Sequence, residues 1–443
     1  AYKVPIELQY GPSQTLLASI EVARSGDLYI PGDDSFLAMA GQKGLIAEII
    51  PLAKMRVVLV VAAGNPKNIQ TVADLRRADV KLGIPNPEVA AAGKLAREAL
   101  EACREWGELV ARATVFKPTP NDIASDVKLG AVDAGIVFDA VAKQYPELEI
   151  VALPELASAV AQVSVAVLRH STQPTAALRF ARYLGAADRG LKQFAALGYT
   201  VVEGDVWEET PELLVFSGSV NRVAVEETLR EFEKRGGCRI TRVYNGCGIL
   251  VGQMKTGGAR PDVYLTCDRS FASPVADLFL GEPVGISETD ILLVTPADNP
   301  KNIRELGDLA RPGVRVGWAN PDQSTLGALT LRMFQQAGIL EAVRSNTVMQ
   351  VPTGDMLVNQ LRTSRGSLDV VVAYRVNALK ASNDVQMISL NVPGARAEQT
   401  FSIGVHSKHK QMVRRLHAAL LSPRSQQRFT SAGFRWTPEP RQP

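Results

Sequence analysis

Few side chains of this chain combine a reactive type with a place where chemistry could be held, and the cysteines come first. Cys247 stands in Asn245-Gly246-Cys247-Gly248, between a β-branched run and a helical pattern, and Cys267 closes the next apolar run. A helix start gathers backbone N–H groups and the positive end of the helix dipole, so Cys247 is placed to touch an anion. Glycines are equally expected there from a tight backbone turn, which leaves Cys247 readable as a ligand contact or as a small filler. Cys103 and Cys238 complete the set of four, with no CxxC spacing and too few thiols for a disulfide scaffold. His406 and His409 lie three apart beside Lys408 and Lys410, and without a third ligand they read as a solvated loop rather than a metal pair. Asp33 and Asp268, each two residues before a Ser-Phe pair, read as helix N-caps. No GxSxG, HExxH, Walker A or helix-opening GxGxxG is present, so no enzyme, no cofactor and no metal is expected.

The elements that must position these residues are written twice. Asn65-Pro66-Lys67-Asn68-Ile69 recurs letter for letter as Asn299-Pro300-Lys301-Asn302-Ile303, each after an apolar run and before a short acidic-capped helical stretch. Asp27-Leu28-Tyr29-Ile30 with Asp33, Ser35 and Phe36 returns as Asp262-Val263-Tyr264-Leu265 with Asp268, Ser270 and Phe271. Gly83, Asn86, Pro87 and Gly93 return as Gly317, Asn320, Pro321 and Gly327, and Gly198-Tyr199 as Gly433-Phe434. The period far exceeds the roughly 20–50 residues of solenoids and propellers, so each copy is a domain with its own core.

Within a copy, short β-branched runs alternate with helical patterns, which predicts an α/β fold with parallel sheets covered by helices. In the second copy the predicted strands are 212–216, 239–244, 262–266, 290–295, 315–318 and 368–373, and the predicted helices are 223–234, 249–255, 326–337, 356–363 and 411–420. The first copy matches from Val4 onward and has no counterpart of 212–216 or 223–234, as if an upstream segment were missing or the copy were degenerate. The joint falls in the acidic stretch 202–211, giving modules 1–206 and 207–443.

Composition narrows the class. With 443 residues, 46% hydrophobic and 21% charged, the chain is long enough for two cores. A net charge of +3 spread along the chain supports no nucleic-acid partner. No apolar run approaches the ~18 residues of a membrane span, and Ala1-Tyr2-Lys3-Val4 is no signal peptide, so a mature, trimmed or cytosolic chain is expected.

Read in order, the second copy gives Ser217-Gly218-Ser219 after its first strand, Tyr244-Asn245-Gly246-Cys247-Gly248, Pro261-Asp262-Val263-Tyr264 and Asn299-Pro300-Lys301-Asn302-Ile303. It continues with Gly313-Val314-Arg315-Val316-Gly317, Asn320-Pro321, Ser422-Pro423 and Gly433-Phe434. This series resembles the molybdate-binding protein family of periplasmic solute receptors, over nearly all of both copies. The resemblance implies tandem type II periplasmic-binding-protein-like modules, each of two α/β lobes around a cleft. In the second module, one lobe would be 207–288 with 376–443 and the other 289–375.

The resemblance also implies a site in which neutral donors hold a tetrahedral oxyanion. Its positions fall on Ser217, Ser219, Cys247, Gly248, Thr353, Gly354, Tyr374 and Arg375 in the second copy, and on Ser13, Gln14 and Thr119, with Phe138 and Asp139, in the first. Two departures stand out. Cys247 replaces a hydroxyl donor by a weaker thiol, and the family's late-strand tyrosine becomes Val163 and Phe401. The family's sheet order would place the first strand between Cys247 and Cys267, leaving them about 10 Å apart and beyond disulfide reach.

The function so implied is an extracytoplasmic, periplasmic receptor that captures a small anion such as molybdate or tungstate and hands it to an ABC transporter permease. Two alternatives stand beside it: a ligand-sensing or accessory binding domain of a larger envelope protein, and a metal or redox protein using Cys247 and Cys267. The second copy, with Ser217, Ser219 and the full strand set, is the candidate for the working site.

Overall fold

Both copies of the recurring Asn-Pro-Lys-Asn-Ile segment fold into the same clasped turn. Asn299 accepts the Ile303 N–H at 3.0 Å through Oδ1 and donates to the Ile303 carbonyl at 2.8 Å through Nδ2. Asn65 makes the same two bonds to Ile69, at 2.9 and 2.8 Å. Asn65, Asn68, Asn299 and Asn302 all have positive φ, between 40° and 50°, a conformation asparagine tolerates better than other side-chain-bearing residues. The turn drives Ile69 and Ile303 into the core, and the identity of the two segments is explained by backbone geometry rather than by a ligand.

The computed structural model describes residues 5–364 and 366–439. The chain divides into two units, the first ending at Glu209 and the second beginning at Thr210. Each is a mixed α/β structure of two lobes threaded by one long strand, Ile46–Ala62 in the first unit and Val284–Pro296 in the second. In the second unit the first half of that strand pairs with Arg396–Ile403, and its second half, from Ile291, pairs with Val370–Tyr374. One lobe's sheet then runs outward through Val263–Leu265 and Glu212–Gly218 to Arg239–Asn245, and the other's through Val316–Ala319 to Thr347–Val351.

The expectation of purely parallel sheets is corrected. Arg239–Asn245, Glu212–Gly218 and Val263–Leu265 are mutually parallel, as are Val370–Tyr374, Val316–Ala319 and Thr347–Val351, but the long strand is antiparallel to its partners in both lobes. In the lobe of Val370–Tyr374 the long strand runs against the parallel set, whereas in the other lobe the opposing strand is Arg396–Ile403, antiparallel both to Val263–Leu265 and to the long strand, which there shares the prevailing direction. The helices lie close to their predicted limits: Arg222–Gly236, Cys247–Lys255, Thr325–Gln336, Gly354–Thr363 and Lys410–Leu420. The acidic-capped stretches after the clasped turns are single 3-10 turns, Ala73–Arg76 and Leu306–Ala310.

The first unit differs at one sheet edge. Leu28–Tyr29 pairs with Val160–Leu168 on one side, whereas its counterpart Val263–Leu265 is paired on both. Among the described residues nothing occupies the place of Glu212–Gly218 or Arg222–Gly236. Residues 5–11, which match Arg239–Asn245 in sequence, form no strand, since among the described residues they have no strand to pair with; Ile6, Leu8 and Tyr10 are exposed. No helix among the described residues is long and apolar enough to cross a membrane.

His409 corrects a second expectation. It is buried at the start of Lys410–Leu420 rather than solvated, while His406 is exposed. Asp268 acts as the expected cap, accepting the Ser270 N–H at 3.0 Å, and its other oxygen accepts the Glu398 N–H at 3.1 Å. Asp33 likewise accepts the Ser35 N–H at 2.9 Å.

Two predictions follow from these contacts. Asn299→Ala removes both clasp bonds and the asparagine that tolerates positive φ, and is expected to destabilise the second unit by about 1–3 kcal/mol in urea denaturation, with Asn65→Ala doing the same in the first. An unchanged midpoint would show the clasp to be idle. Asp369, 2% exposed, accepts from the Arg315 main chain at 2.9 Å and from its guanidinium at 2.6 Å. Burial raises its carboxyl, but the Arg315 hydrogen bonds and charge outweigh burial and hold it below the usual carboxylate range. A lowered folded-state value stabilises above the ordinary value of about 3.9 and the effect is lost as pH falls through the lower one, so Asp369→Asn should flatten the acid limb of a stability–pH curve.

Candidate functional site

The second unit brings strand ends from both lobes toward one place, and each end passes almost directly into a helix. Glu212–Gly218 leads through the single 3-10 turn Ser219–Asn221 into Arg222–Gly236, and Arg239–Asn245 leads through Gly246 into Cys247–Lys255. From the other lobe, Val316–Ala319 leads to Thr325–Gln336, Thr347–Val351 leads through Thr353 to Gly354–Thr363, and Val370–Tyr374 runs into Arg375–Leu379. Parallel strands share one C-terminal edge, so their helix starts, each with unpaired N–H groups, collect along it.

The lobes touch there through glycine backbone. A Cβ on Gly246 would lie 2.2 Å from the Gln323 carbonyl oxygen, and one on Gly248 2.4 Å from that of Asp322. No side chain fits at either position, so the glycines around Cys247 are required by the approach of the opposite lobe as well as by the turn. Gly354 is hemmed in similarly, with Asn377 Oδ1 2.5 Å from where its Cβ would stand.

At the centre the cysteines meet. Cys247 and Cys267 are both free thiols, both buried, with their sulfurs 3.1 Å apart, and the Cys267 N–H donates to Cys247 Sγ at 3.1 Å. The expected separation of about 10 Å is therefore wrong, although the strand order behind it is right: Glu212–Gly218 does lie between the other two strands. Both cysteines sit just beyond their strands' ends, and their side chains converge over Gly218, where the intervening strand has none. A Cβ on Gly218 would come within 2.0 Å of Cys267 Sγ and 3.0 Å of Cys247 Sγ.

Three hydroxyls surround the thiols. Tyr264, Tyr374 and Thr325 are 0%, 3% and 1% exposed; none of their oxygens has an oxygen or nitrogen partner, and Tyr264 and Thr325 have only the cysteine sulfurs beside them. Burial alone would raise the Cys247 thiol; the hydrogen bonds from Cys267, with the Thr325 and Tyr264 hydroxyls close by, outweigh it and hold Cys247 below the usual thiol range. Its contact with Cys247, then burial, push Cys267 well up. Tyr264 and Tyr374 are raised first by burial and then by the negative charge the cysteines can carry.

Of the residues expected at the site, Ser217, Cys247, Gly354 and Tyr374 are buried and Ser219, Gly248 and Thr353 half-buried, whereas Arg375 is exposed. Ser217 Oγ donates to the Gly218 carbonyl at 3.2 Å, and Thr353 precedes its helix without a side-chain capping bond. Cys267, expected about 10 Å from Cys247, joins it at the centre. Thr325 and Tyr264 were missed as site residues: Tyr264 reads as a strand landmark, and Thr325 carries no signal beyond lying two residues before Gly327.

The first unit has the same frame without its polar centre. Gly32, Ala91 and Phe138 stand where the second unit has Cys267, Thr325 and Tyr374, and a Cβ on Gly32 would lie 3.2 Å from the Ala91 Cβ. Ser13 takes the place of Cys247, and its hydroxyl is engaged by the Gly32 N–H at 3.0 Å, as its carbonyl is by the Tyr29 hydroxyl at 2.7 Å. The Gln14 N–H donates to the Val89 carbonyl at 3.3 Å, and Thr119 is closed into a capping box with Asp122.

Gly218→Ala is expected to destabilise the chain by about 1–3 kcal/mol through overpacking against the sulfurs, with much of the loss restored by Cys267→Ala in the same chain. Thermal denaturation of the two single variants and the double variant checks this, and additive losses would show that the sulfurs are not what Gly218 accommodates.

Comparison with known proteins bears on both units. The profile of the bacterial extracellular solute-binding protein family matches residues 1–200 and again 213–435. A molybdate-binding protein of Mycobacterium tuberculosis is 27% identical over 179 residues, 40% of this chain and 66% of that protein, so the match spans just under two thirds of that relative. A sulfate-binding protein of Synechococcus elongatus is 25% identical over 256 residues, 51% of this chain and 73% of its own length. Among solved structures, the periplasmic molybdate-binding protein of Azotobacter vinelandii aligns with a TM-score of 0.42 at 16% identity, covering 51% of this chain and 99% of that one. The sulfate-binding protein of Mycobacterium tuberculosis gives 0.43 at 18%, covering 51% and 87%. With its two lobes per unit and the family profile matched once in each, the chain belongs to the bacterial extracellular solute-binding protein family.

Proposed function

We propose that this protein is a receptor acting outside the cytoplasm, which captures a small oxyanion of the molybdate type in the interlobe cleft of its second unit and delivers it to an ABC-type transporter. The observation that supports this reading is the gathering of helix starts from both lobes around buried hydroxyls that have no oxygen or nitrogen partner. Such a place substitutes oriented neutral dipoles for the water an anion loses on entering. The modules are taken as 1–206 and 207–443, and the lobes of the second as 207–288 with 376–443 and 289–375.

In this reading Ser217, Ser219, Cys247 and Gly248 approach the ligand from one lobe, and Thr353, Gly354 and Tyr374 from the other, with Arg375 at the rim. The lobes close because the ligand binds the closed form better than the open one, and a transporter can sense that difference. In the first unit Ser13, Gln14 and Thr119 already have partners, which supports a scaffolding role for it. The same observation favours, as a second reading, a sensing or accessory module of a larger envelope protein, since capture for transport needs only one unit.

Calorimetric titration of the full chain with molybdate, with sulfate as the size control, tests the reading. One ligand per chain is expected, and Thr353→Val should weaken binding by about tenfold, the worth of one hydrogen bond. Two ligands per chain would refute the scaffold role of the first unit, and no heat with any oxyanion would refute oxyanion capture.

A further inference from the structure

Resting on the placement of the site in the second unit, we infer that its centre is a two-sulfur chelating site for a thiophilic trivalent oxyacid, arsenite or its antimony analogue, held by Cys247 and Cys267. Three independent features converge on it. The thiols lie 3.1 Å apart across Gly218, a residue whose lack of a side chain makes the space above the strand end available to both sulfurs. The Tyr264, Tyr374 and Thr325 hydroxyls around them are all more than nine-tenths buried and have no oxygen or nitrogen partner, and Tyr374 has no partner at all. The first unit, with the same frame, lacks both thiols, the threonine and one tyrosine together, and has only Tyr29, whose hydroxyl donates to the Ser13 carbonyl. Groups that are present or absent as a set are expected to serve one ligand.

The ligand class follows from what the set can and cannot do. No group of three or more His, Cys, Asp or Glu side chains among the described residues could hold a metal ion, which removes the four-coordinate zinc arrangement. With element–sulfur bonds of about 2.3 Å, a bent centre spaces its two sulfurs about 3.5 Å apart and a linear one about 4.6 Å. The observed spacing of 3.1 Å is nearer that of the bent, pyramidal geometry of trivalent arsenic or antimony than that of linear copper(I). The site also sits in low-dielectric surroundings with no cationic side chain at its centre, and Arg375 is exposed. The adduct of a trivalent oxyacid is neutral, which suits such surroundings.

The binding step exchanges ligands without redox change. Each thiol gives its proton to one hydroxyl of the trihydroxide, two arsenic–oxygen bonds break as two sulfur–arsenic bonds form, and two waters leave. The remaining hydroxyl stays on arsenic, where Tyr374, with no partner of its own, and the Thr325 and Tyr264 hydroxyls beside the sulfurs supply hydrogen-bonding groups. Cys238 is buried at the end of Arg222–Gly236, and Cys103 is exposed on the first unit, so neither can complete the chelate.

The test uses the reduced full chain with Cys103→Ser as background, titrated with arsenite and followed by native mass spectrometry and calorimetry. One arsenic per chain is expected, with the mass of the trihydroxide less two waters. Either Cys247→Ala or Cys267→Ala should weaken binding by about 10²–10⁴-fold, the loss of an intramolecular second bond, and Thr325→Val by less. Circular dichroism confirms that each variant is folded, and the conservative Cys→Ser pair serves where alanine is not tolerated. Absence of an adduct, an adduct that survives loss of either thiol, or uptake of copper(I) in place of arsenite would overturn the inference. Molybdate binding without an arsenic adduct would overturn the thiol site alone. An arsenic adduct without molybdate binding would leave the thiol site standing and refute capture of molybdate by neutral donors.

Discussion

The absence of a side chain at Gly218 is the constraint on which the centre of the second unit depends. The strand Glu212–Gly218 separates the two that carry cysteines at their ends, and any Cβ at its last residue would occupy the space where the sulfurs meet. With that space open, Cys247 is drawn into contact with Cys267, and its helix start is fixed against the end of the neighbouring strand. The carbonyls of Asp322 and Gln323 then reach the flanking glycines from the opposite lobe, which no larger residue would permit. The polar centre and the lobe contact are therefore two results of removing side chains at a few positions.

The long strand gives those contacts their setting. Val284–Pro296 belongs to both sheets of the second unit, so the lobes share a continuous backbone element and their strand ends stay aligned on a common cleft. Its second half is apolar and almost wholly buried, as Ile291, Leu292, Leu293 and Val294 show, and it pairs with the equally buried Val370–Tyr374. Burial of that kind, at roughly 25 cal/mol per Å² of apolar surface, anchors a frame rigid enough to hold unpartnered hydroxyls in place.

The two units separate frame from chemistry. Both keep the clasped asparagine turn, the capping aspartate and the long strand, all of which satisfy backbone groups or fill the core. They part company at the residues facing the cleft, where the first unit has Gly32, Ala91 and Phe138 and its Ser13 hydroxyl is used internally. A duplicated fold can be held by its backbone requirements while one copy loses its polar centre, because unpartnered buried hydroxyls stabilise nothing by themselves.

The sequence by itself determined the duplication, the order and type of nearly every element in the second unit, the aspartate caps and the place of Cys247 at a helix start. These are local properties: periodicity, turn chemistry and capping act over a few residues and leave their mark in order along the chain. Only the tertiary structure decided that Cys247 and Cys267 touch, that Thr325 and Tyr264 join them, that His409 is buried, and that the long strand runs antiparallel to the strands on either side of it. Strand order alone spaces residues by whole strands. Whether side chains beyond the strand ends converge depends on the volume left free between them, and at this site that volume is set by a glycine on a third strand.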